Sequence, residues 1–435
     1  MSIDISALMA SMPEGDFPVS TSVDDLLLAA LERGDETLAT GRYLLSFNEG
    51  QESEGLSALR SYGISGADSR DFNEQAIAPS TLGDAGFLYF SEVNVAVVSG
   101  SAFRDLGVSG LLSAQTDQGT ISSVEPEYFV FASNGDYLRG FARAAQVLAE
   151  DLGTPQREEE AEPGAEVLGT TWGVAATRAN LSGASGKGIK VAILDTGLDL
   201  GHPDFAGRSV VSSTFVGQPV QDLNGHGTHC TGTACGPKAP AGSTPRYGIA
   251  YDSRIHIGKV LSNSGSGTTA TVLAGMNWAI SQRCEVISMS LGAQIPQQAA
   301  YTNAGKAALD RGLLIVAAAG NAGAATFTGA PANSPTIMAV AALDPNGAPA
   351  GYSCSGKIEI SGPGSNVLSS WPRPRLYNTI SGTSMATPHV AGCAALWAQT
   401  SGSLRGIKLW RKLQATARRL PYPASRVGAG LVQAP

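Results

Sequence analysis

Five continuous apolar runs of strand length, separated by stretches of helical character, constrain the fold of this chain more than any other feature. The runs are KVAILDTG from residue 190, RIHIGKVL from 254, EVISMSLG from 285, LLIVAAAGN from 313 and TIMAVAAL from 336. Strands that are buried on both faces are apolar throughout, so these runs indicate an α/β fold with a mostly parallel sheet and helices on both faces. We expect ligands to bind at the carboxyl ends of its strands.

The character of the sequence changes three times along the chain. Residues 1–40 form an N-terminal extension with one amphipathic helix, in VDDLLLAALERG, that ends at Gly34. Residues 41–133 alternate strand-like runs with helical segments, which predicts a small α+β domain. Residues 134–166 include the acidic stretch TPQREEEAEPGAE, which is typical of a solvated linker. Residues 167–435 then form the α/β domain.

Composition and charge argue against several classes of partner. The 435 residues carry a net charge of −8 without a basic run, so we expect no nucleic acid partner. The longest apolar stretches, such as residues 312–320, are shorter than the roughly 18 residues of a membrane-spanning helix, and the N-terminus lacks the pattern of a secretory signal. The five cysteines show no zinc-like spacing, which predicts free, buried thiols.

Four polar side chains lie where strands end or small-residue helices begin, and together they could carry out catalysis. Asp195 directly follows an apolar strand, His226 lies in NGHGTHCTGTACG, Asn321 follows AAAG, and Ser384 lies in SGTSMATPHVAG. A serine hydroxyl becomes a nucleophile when a base lies within hydrogen-bond reach and a third group orients that base. Each residue alone is explained as well by a helix cap or a turn. Their joint occurrence favours nucleophilic catalysis.

The segments AILDTGLDLGHPD, NGHGTHCTGT, AAAGN and SGTSMATPHVAG together resemble the signature segments of the subtilisin-like serine proteases. The form HGTHC is most similar to the proteinase K-type branch, and the resemblance covers about residues 171–433. It implies that Ser384 is the nucleophile, His226 the general base and acid, and Asp195 the residue that orients the imidazole. It also implies that the side chain of Asn321 donates to the oxyanion.

The position of Ser384 at the start of a helix suits this role. Its own backbone N–H group and the positive end of the helix dipole would stabilise a developing oxyanion. We expect Pro388 to be tolerated because it lies in the first turn, where a missing N–H group has no intrahelical partner to lose. We assign the two nearby histidines, His229 and His389, to packing or to hydrogen bonds within their helices.

By the same resemblance, a peptide substrate lies extended against strand edges in a cleft. SLG and AAAG line the pocket for the residue before the cut, TGAP forms the pocket floor, and SGSG forms the opposite rim. The residues implied are Ser290, Leu291, Gly292, Ala318, Gly320, Gly329, Gly265 and Gly267. We expect a broad preference for apolar or aromatic residues before the cut.

The N-terminal α+β region resembles the inhibitory propeptide of this family, a ferredoxin-like domain whose tail occupies the cleft. The resemblance rests on RYLLSF, NVAVVSG and VEPEYFVFAS, and it implies a zymogen that inhibits and then cuts itself. Alignment with relatives implies a cut after Ser133, whereas Phe131 would better fill an open apolar pocket, so the bond stays open. The linker and the N-terminal extension depart from the family pattern, which leaves open whether the region is removed.

We expect no cofactor for catalysis, protein or peptide substrates, and a monomeric chain. Structural calcium is common in the family, and Glu359 in IEISGPG corresponds to a calcium-binding carboxylate of proteinase K-type relatives. Asp204 is a second candidate ligand. The compartment stays open, because free cysteines favour the cytoplasm while a propeptide with broad specificity favours secretion.

Two alternative functions use the same fold. A catalytically silent subtilase would bind peptides, but it would lack a catalytic residue, and all four are present. A peptide-maturing protease or transpeptidase would use the same triad with insertions that exclude water, and the sequence has no large insertion between the motifs. An α/β-hydrolase requires G-x-S-x-G, which does not occur in this chain.

Overall fold

The computed structural model describes residues 17–34, 37–72, 82–114, 119–132 and 169–435. The predicted linker and Ser133 lie outside these ranges. The boundaries of the four predicted segments stay predictions, although β1 begins at Ala39, two residues before the second segment was expected to start. No helix in the described part of the chain combines the length and apolar character needed to cross a lipid bilayer.

The N-terminal region consists of one helix followed by a small α+β domain. Its elements are α1 (Val23–Glu32), β1 (Ala39–Phe47), α2 (Glu52–Ser61), β2 (Gly66–Asp68), β3 (Phe87–Phe90), β4 (Val95–Val98), α3 (Gly100–Ala114) and β5 (Ile121–Phe131). Leaving aside the short edge strand β2, the order is βαββαβ, with neighbouring strands in the order β3-β4-β1-β5. This is the ferredoxin-like arrangement expected from the sequence.

The α/β domain contains a seven-stranded sheet and the helices that cover it. The elements up to its fifth sheet strand are α4 (Trp172–Ala176), β6 (Lys190–Asp195), β7 (Val210–Thr214), α5 (His226–Cys235), β8 (Arg254–Lys259), β9 (Ser266–Thr268), α6 (Thr269–Ser281), β10 (Val286–Met289), α7 (Ala299–Asp310) and β11 (Leu314–Ala318). The remaining elements are β12 (Met338–Leu343), β13 (Ile360–Pro363), β14 (Val367–Ser370), β15 (Tyr377–Ile380), α8 (Thr383–Thr400), α9 (Gly406–Thr416) and α10 (Ala424–Val427).

The seven strands are all parallel, in the order β13-β12-β11-β10-β6-β8-β7, and helices cover both faces. Successive residues of β6 enter different hydrophobic cores. Val191 and Ile193 belong to a core that includes residues of α5 and α8, whereas Ala192 and Leu194 belong to one that includes residues of α6 and α7. The continuous apolar runs therefore reflect burial on both sides, and the predicted α/β class is confirmed.

The two regions share a second sheet. The last strand of the N-terminal region, β5, pairs antiparallel with β9 of the α/β domain, so that β9 completes a six-stranded sheet in the order β2-β3-β4-β1-β5-β9. This pairing brings the end of β5 to the carboxyl edge of the parallel sheet, where the candidate catalytic residues lie.

Candidate active site

Asp195 and His226 form a buried hydrogen-bonded pair. Asp195 is the last residue of β6 and His226 is the first residue of α5. The Nδ1 atom of His226 lies 2.8 Å from Oδ1 and 3.0 Å from Oδ2 of Asp195. An ionised carboxylate only accepts hydrogen bonds, so Nδ1 carries the proton and Nε2 of the neutral ring is available as a base.

The surroundings of His226 shift its pKa upward. Burial alone would lower the pKa, but the charge of Asp195, together with the hydrogen bonds of Asp195 and Cys230, raises it well above its ordinary value of 6.5. The thiol of Cys230 lies 3.8 Å from His226 Nδ1, and burial raises the pKa of this thiol, so Cys230 faces the imidazole as a neutral group. Asp195 is therefore the negative charge that stabilises a protonated His226.

A second aspartate, which the sequence analysis did not single out, fixes the start of α5. Asp222 is fully buried, and its Oδ1 accepts from the N–H groups of Asn224 at 3.0 Å and Gly225 at 2.9 Å. Its Oδ2 accepts from the N–H and hydroxyl groups of Thr228 at 2.9 and 2.7 Å. Asp222 thus positions the turn that precedes His226. The sequence did carry a signal for this role. Asp222 precedes a turn that contains a glycine, and short polar side chains commonly cap such turns.

Ser384 is the second residue of α8, where backbone N–H groups have no intrahelical acceptor. The prediction that Pro388 lies in the first turn of this helix is wrong, because it lies in the second turn. Pro388 is the sixth residue of α8, so it removes the hydrogen bond that its N–H would have made to the carbonyl oxygen of Ser384. That oxygen instead accepts from the hydroxyl of Ser290 at 2.7 Å and from the thiol of Cys230 at 3.6 Å. Side chains of neighbouring elements therefore make the proline tolerable.

Asn321 follows β11, and Thr383 sets its orientation. The side-chain oxygen of Asn321 accepts from both the N–H and the hydroxyl of Thr383, each at 2.8 Å. Because two donors hold the oxygen, the NH₂ group is the end of the amide that can donate. Asn321 and Ser384 line the same depression. The amide is thus prepared to meet negative charge that develops near the serine.

The end of β5 lies in the cleft as an extended strand between two edges of the α/β domain. On one side, Phe131 exchanges two backbone hydrogen bonds of 3.0 Å with Gly292. On the other side, Val130 pairs with Gly267, and the N–H of Ala132 donates to the carbonyl oxygen of Gly265 at 3.0 Å. These edges belong to the SLG and SGSG segments that the resemblance assigned to substrate binding.

The hydroxyl of Ser384 faces this strand. Its Oγ lies 3.2 Å from the carbonyl oxygen of Ala132 and 3.2 Å from that of Ser290. The adjacent depression is lined mainly by backbone and small apolar side chains. Its residues include Leu291, Gly292, Ala318, Gly320 and Gly329. Ser384, Asn321 and the predicted substrate-binding residues thus lie around the end of β5.

The other two histidines singled out from the sequence and Glu359 are bound by other groups of the chain. His229 and His389 are buried, and each ring contacts a backbone carbonyl oxygen, that of Val367 at 2.9 Å and that of Met385 at 2.8 Å, in agreement with their expected packing roles. All five cysteines are free and buried, as predicted. Glu359 forms an ion pair of 2.7 Å with Lys357.

Comparison with known proteins shows which family this chain resembles. Residues 186–430 match the model of the subtilase family, peptidase family S8. The chain is 40% identical to an alkaline protease of Alkalihalobacillus alcalophilus over 283 residues, which cover 64% of this chain and 72% of that protein. It is 40% identical to subtilisin Savinase of Lederbergia lenta, covering 60% of this chain and 96% of that protein.

Thermitase of Thermoactinomyces vulgaris is 41% identical over 228 residues, which cover 52% of this chain and 80% of thermitase. The placement in the proteinase K-type branch stays a prediction. The family match covers more than half of the chain and includes Asp195, His226, Asn321 and Ser384. The chain therefore belongs to the subtilase family and is a subtilisin-like serine protease.

Proposed function

We propose that this subtilase is an endopeptidase that works through a triad of Ser384, His226 and Asp195 and is made as a self-inhibited zymogen. The observation that carries the proposal is the placement of the Ser384 hydroxyl 3.2 Å from a carbonyl oxygen of the chain's own extended strand. A nucleophile held against the backbone of an extended peptide is the arrangement that acyl transfer requires.

The reaction follows from the protonation states of the site. Ser384 Oγ attacks the carbonyl carbon of the scissile bond while its proton moves to Nε2 of His226, and Asp195 stabilises the imidazolium through Nδ1. His226 then gives this proton to the leaving amine. Water repeats the sequence on the acyl-enzyme, with His226 again as the base, and Ser384 is regenerated.

The negative charge of the tetrahedral intermediate is met by two kinds of donor. The backbone N–H of Ser384 lies in the first turn of α8, where it has no acceptor within the helix, and the amide of Asn321 is already oriented by Thr383. Because these donors are fixed before reaction, they stabilise the oxyanion without a reorganisation cost. In the described state the Ser384 hydroxyl contacts Ala132 and Ser290, and we expect its bond to His226 to form as the reaction begins.

Two carboxylates of β5 support an inhibitory role for the N-terminal region. Glu125 accepts from the N–H groups of Ala299 and Ala300, at the start of α7, at 2.7 and 3.0 Å. Glu127 is fully buried and accepts from the N–H of Ala270, at the start of α6, at 3.2 Å. Carboxylates at helix N-termini are favourable because they satisfy unpaired N–H groups and the helix dipole. Both carboxylates would hold β5 in the cleft.

A buried ion pair strengthens the same interface. Arg42 of β1 contacts Glu127 through Nε at 2.6 Å and Nη2 at 2.9 Å, and both side chains are at most 4% exposed. The Nη1 atom of Arg42 also donates to the carbonyl oxygen of Val19, at 3.2 Å. Removing one partner of such a buried pair typically costs about 3–5 kcal/mol. Arg42 thus links the N-terminal extension to Glu127 of β5, which in turn binds the start of α6.

Helix α1 adds a further layer over the occupied cleft. Leu26 and Leu27 of α1 form a hydrophobic cluster with Phe129 and Phe131 of β5. Asp24 of the same helix accepts from Gln218 Nε2 at 3.0 Å and from the hydroxyl of Ser264 at 3.3 Å, on the rim of the cleft. These contacts support an inhibitory role for residues 17–34 as well.

The contacts of β5 narrow the site of self-cleavage. The carbonyl oxygen of Phe131 is bound to the N–H of Gly292, and its side chain packs against α1, so Phe131 does not supply the attacked carbonyl. Ser384 faces the next carbonyl, that of Ala132. We therefore propose that the cut follows Ala132 or Ser133, and Ser133 is the position that the family resemblance implies.

The lining of the depression supports a preference for apolar residues before the cut. Its side chains are those of Leu291, several alanines, Gln294, the polar Asn321 and Thr383 beside the serine, and Phe131 of the cleft strand itself. A charged substrate side chain would find no opposite charge among these residues and would lose its hydration. We expect apolar and aromatic residues to be accepted, with a broad rather than narrow preference.

The proposal is tested with extended peptides that carry a chromogenic leaving group, with Ala, Leu, Phe, Glu or Arg before the cut. We expect the purified wild-type chain to cleave the Leu and Phe peptides fastest, Ser384→Ala to be inactive, and the exposed Ser403→Ala to match the wild type. Cleavage that survives in Ser384→Ala would contradict the nucleophile. Peptide binding without cleavage by the wild type would instead favour a catalytically silent subtilase.

A further inference from the structure

Lys357 lies in a cage of oxygen atoms of the kind that usually holds a metal ion. Its Nζ contacts the carbonyl oxygens of Ala332 at 2.9 Å and Ile337 at 2.6 Å, and the Oε2 atom of Glu359 at 2.7 Å. The side chains of Lys357 and Glu359 are only 26% and 16% exposed. Two carbonyls and a carboxylate are ligands that hard cations prefer, and here an ammonium group binds to all three.

The surroundings of Glu359 do not fit the calcium ion that the family resemblance suggested. Calcium takes six to eight oxygen ligands at about 2.3–2.6 Å, and its binding depends on negative ligand charge. The Oε2 atom of Glu359 already accepts from Lys357 and from the N–H of Ala339, each at 2.7 Å. A divalent ion here would also lie beside the ammonium of Lys357, and two cations at such short range repel each other.

The carboxylate of Asp204, the second candidate calcium ligand, also accepts hydrogen bonds from groups of the chain itself. Asp204 accepts from the hydroxyls of Tyr247 at 2.5 Å and Tyr377 at 3.0 Å through Oδ2, and from the N–H of Ala241 at 2.9 Å through Oδ1. Phenolic hydroxyl groups satisfy this carboxylate where a cation would otherwise neutralise it. The two carboxylates considered as calcium ligands are thus both bound by groups of the chain itself.

We propose that Lys357 acts as a built-in cation, which holds the loop of residues 328–337 in place of a bound metal ion. Two residues near the start of this loop, Gly329 and Ala330, line the depression beside Ser384. The backbone of Lys357 holds the same loop, because its carbonyl oxygen accepts from the hydroxyl of Thr328 at 2.9 Å. The positive charge is part of the chain, so this loop needs no cation from solution.

The proposal predicts that removal of the ammonium creates a cation site. In Lys357→Met the oxygens of Ala332, Ile337 and Glu359 keep their partial and full negative charges but lose their counterion. An added Ca²⁺ ion can then bind where the ammonium was, whereas the intact chain has no room for it. The double variant Lys357→Met/Glu359→Gln keeps the space but lacks the carboxylate, so it should not regain stability with calcium.

The test measures thermal unfolding of the full chain in the Ser384→Ala background, which prevents self-digestion. Each variant is heated in EDTA and in 10 mM CaCl₂. We expect Lys357→Met to have a Tm about 5 °C or more below its parent in EDTA, and calcium to recover most of this loss. The exposed Lys187→Met should show the same Tm and the same small calcium response as the parent.

The outcomes separate the proposal from a simple packing role. A calcium-induced rise in Tm that is larger in Lys357→Met than in the parent, and absent from the double variant, supports the built-in cation. An equal calcium response in Lys357→Met and the parent overturns it, as does a Lys357→Met chain that remains unfolded with calcium. Lys357→Ala, which leaves more space for a hydrated ion, is measured in parallel, and it should show the same calcium-dependent recovery.

Discussion

The proposed catalytic side chains and the strand in the cleft beside them are held in different ways. Asp195, His226, Asn321 and Ser384 are fixed by hydrogen bonds within the α/β domain, at the carboxyl ends of its strands or the start of its helices. The end of β5 is fixed by contacts between regions distant in sequence, such as Glu127 with Ala270. Loss of a group from the first set should lower activity, whereas loss of a contact from the second set should release it.

The largest fall in kcat is expected from Asp195→Asn, which alters a hydrogen-bonding group of the first set. The amide can donate to Nδ1 and thereby favours the wrong tautomer of His226, so kcat should fall by about 10⁴-fold. Steady-state kinetics with a chromogenic peptide measures this loss. The exposed Asp252→Asn is the matched control and should stay within about twofold of the wild type. Equal rates for Asp195→Asn and the control would remove Asp195 from the catalytic set.

A smaller loss is expected from Asn321→Ala, which removes one oxyanion donor and leaves the nucleophile and base in place. We expect kcat to fall by about 10²–10³-fold while KM changes little, because the donor acts mainly on charge that develops in the transition state. The exposed Asn346→Ala serves as the control. A change confined to KM would mean that Asn321 binds the substrate and does not stabilise the oxyanion.

A faster rather than a slower appearance of peptidase activity is expected from Leu27→Asp in α1, which alters the second set of contacts. Leu27 is 2% exposed and packs in the cluster with Phe129 and Phe131, whereas its neighbour Leu28 is 54% exposed. A carboxylate in the cluster should weaken the hold on β5, so the lag before full peptidase activity should shorten by about tenfold. Leu28→Asp should keep the wild-type lag. Equal lags in the two variants would show that α1 does not restrain the cleft strand.

The smallest effect concerns pH and tests the charge balance at His226. The base acts only when its Nε2 is unprotonated, and Asp195 raises its pKa above 6.5. A raised pKa keeps the imidazole protonated to higher pH, so kcat/KM should be lost as pH falls through a midpoint above 6.5. A pH profile of kcat/KM for a neutral peptide measures this midpoint. A midpoint at or below 6.5 would mean that burial outweighs Asp195.

The same contrast explains how much the sequence could predict. The apolar runs locate the parallel strands because burial on both faces leaves a direct compositional trace, as in Val191–Leu194. Ser266–Thr268 carries no comparable trace, because β9 forms through its pairing with β5 rather than through its own side chains. A contact made by a distant segment has no local signal in a single sequence.

The candidate catalytic residues could be predicted for a similar reason, since each follows an apolar run or opens a small-residue helix. Their supports were missed, because Asp222 and Lys357 are polar residues whose partners are mostly backbone groups brought near by folding. Pro388 shows the same limit. The sequence indicates a tolerated proline, but only the structure shows that the Ser290 hydroxyl compensates for the lost hydrogen bond.

The most direct test of the account is the intact mass of the purified wild-type chain beside that of Ser384→Ala. We predict that the wild type is cut after Ala132 or Ser133, so that two fragments with the corresponding masses appear, while Ser384→Ala stays whole. Two whole chains, or the same cut in both proteins, would contradict the claim that Ser384 acts on the strand in its own cleft.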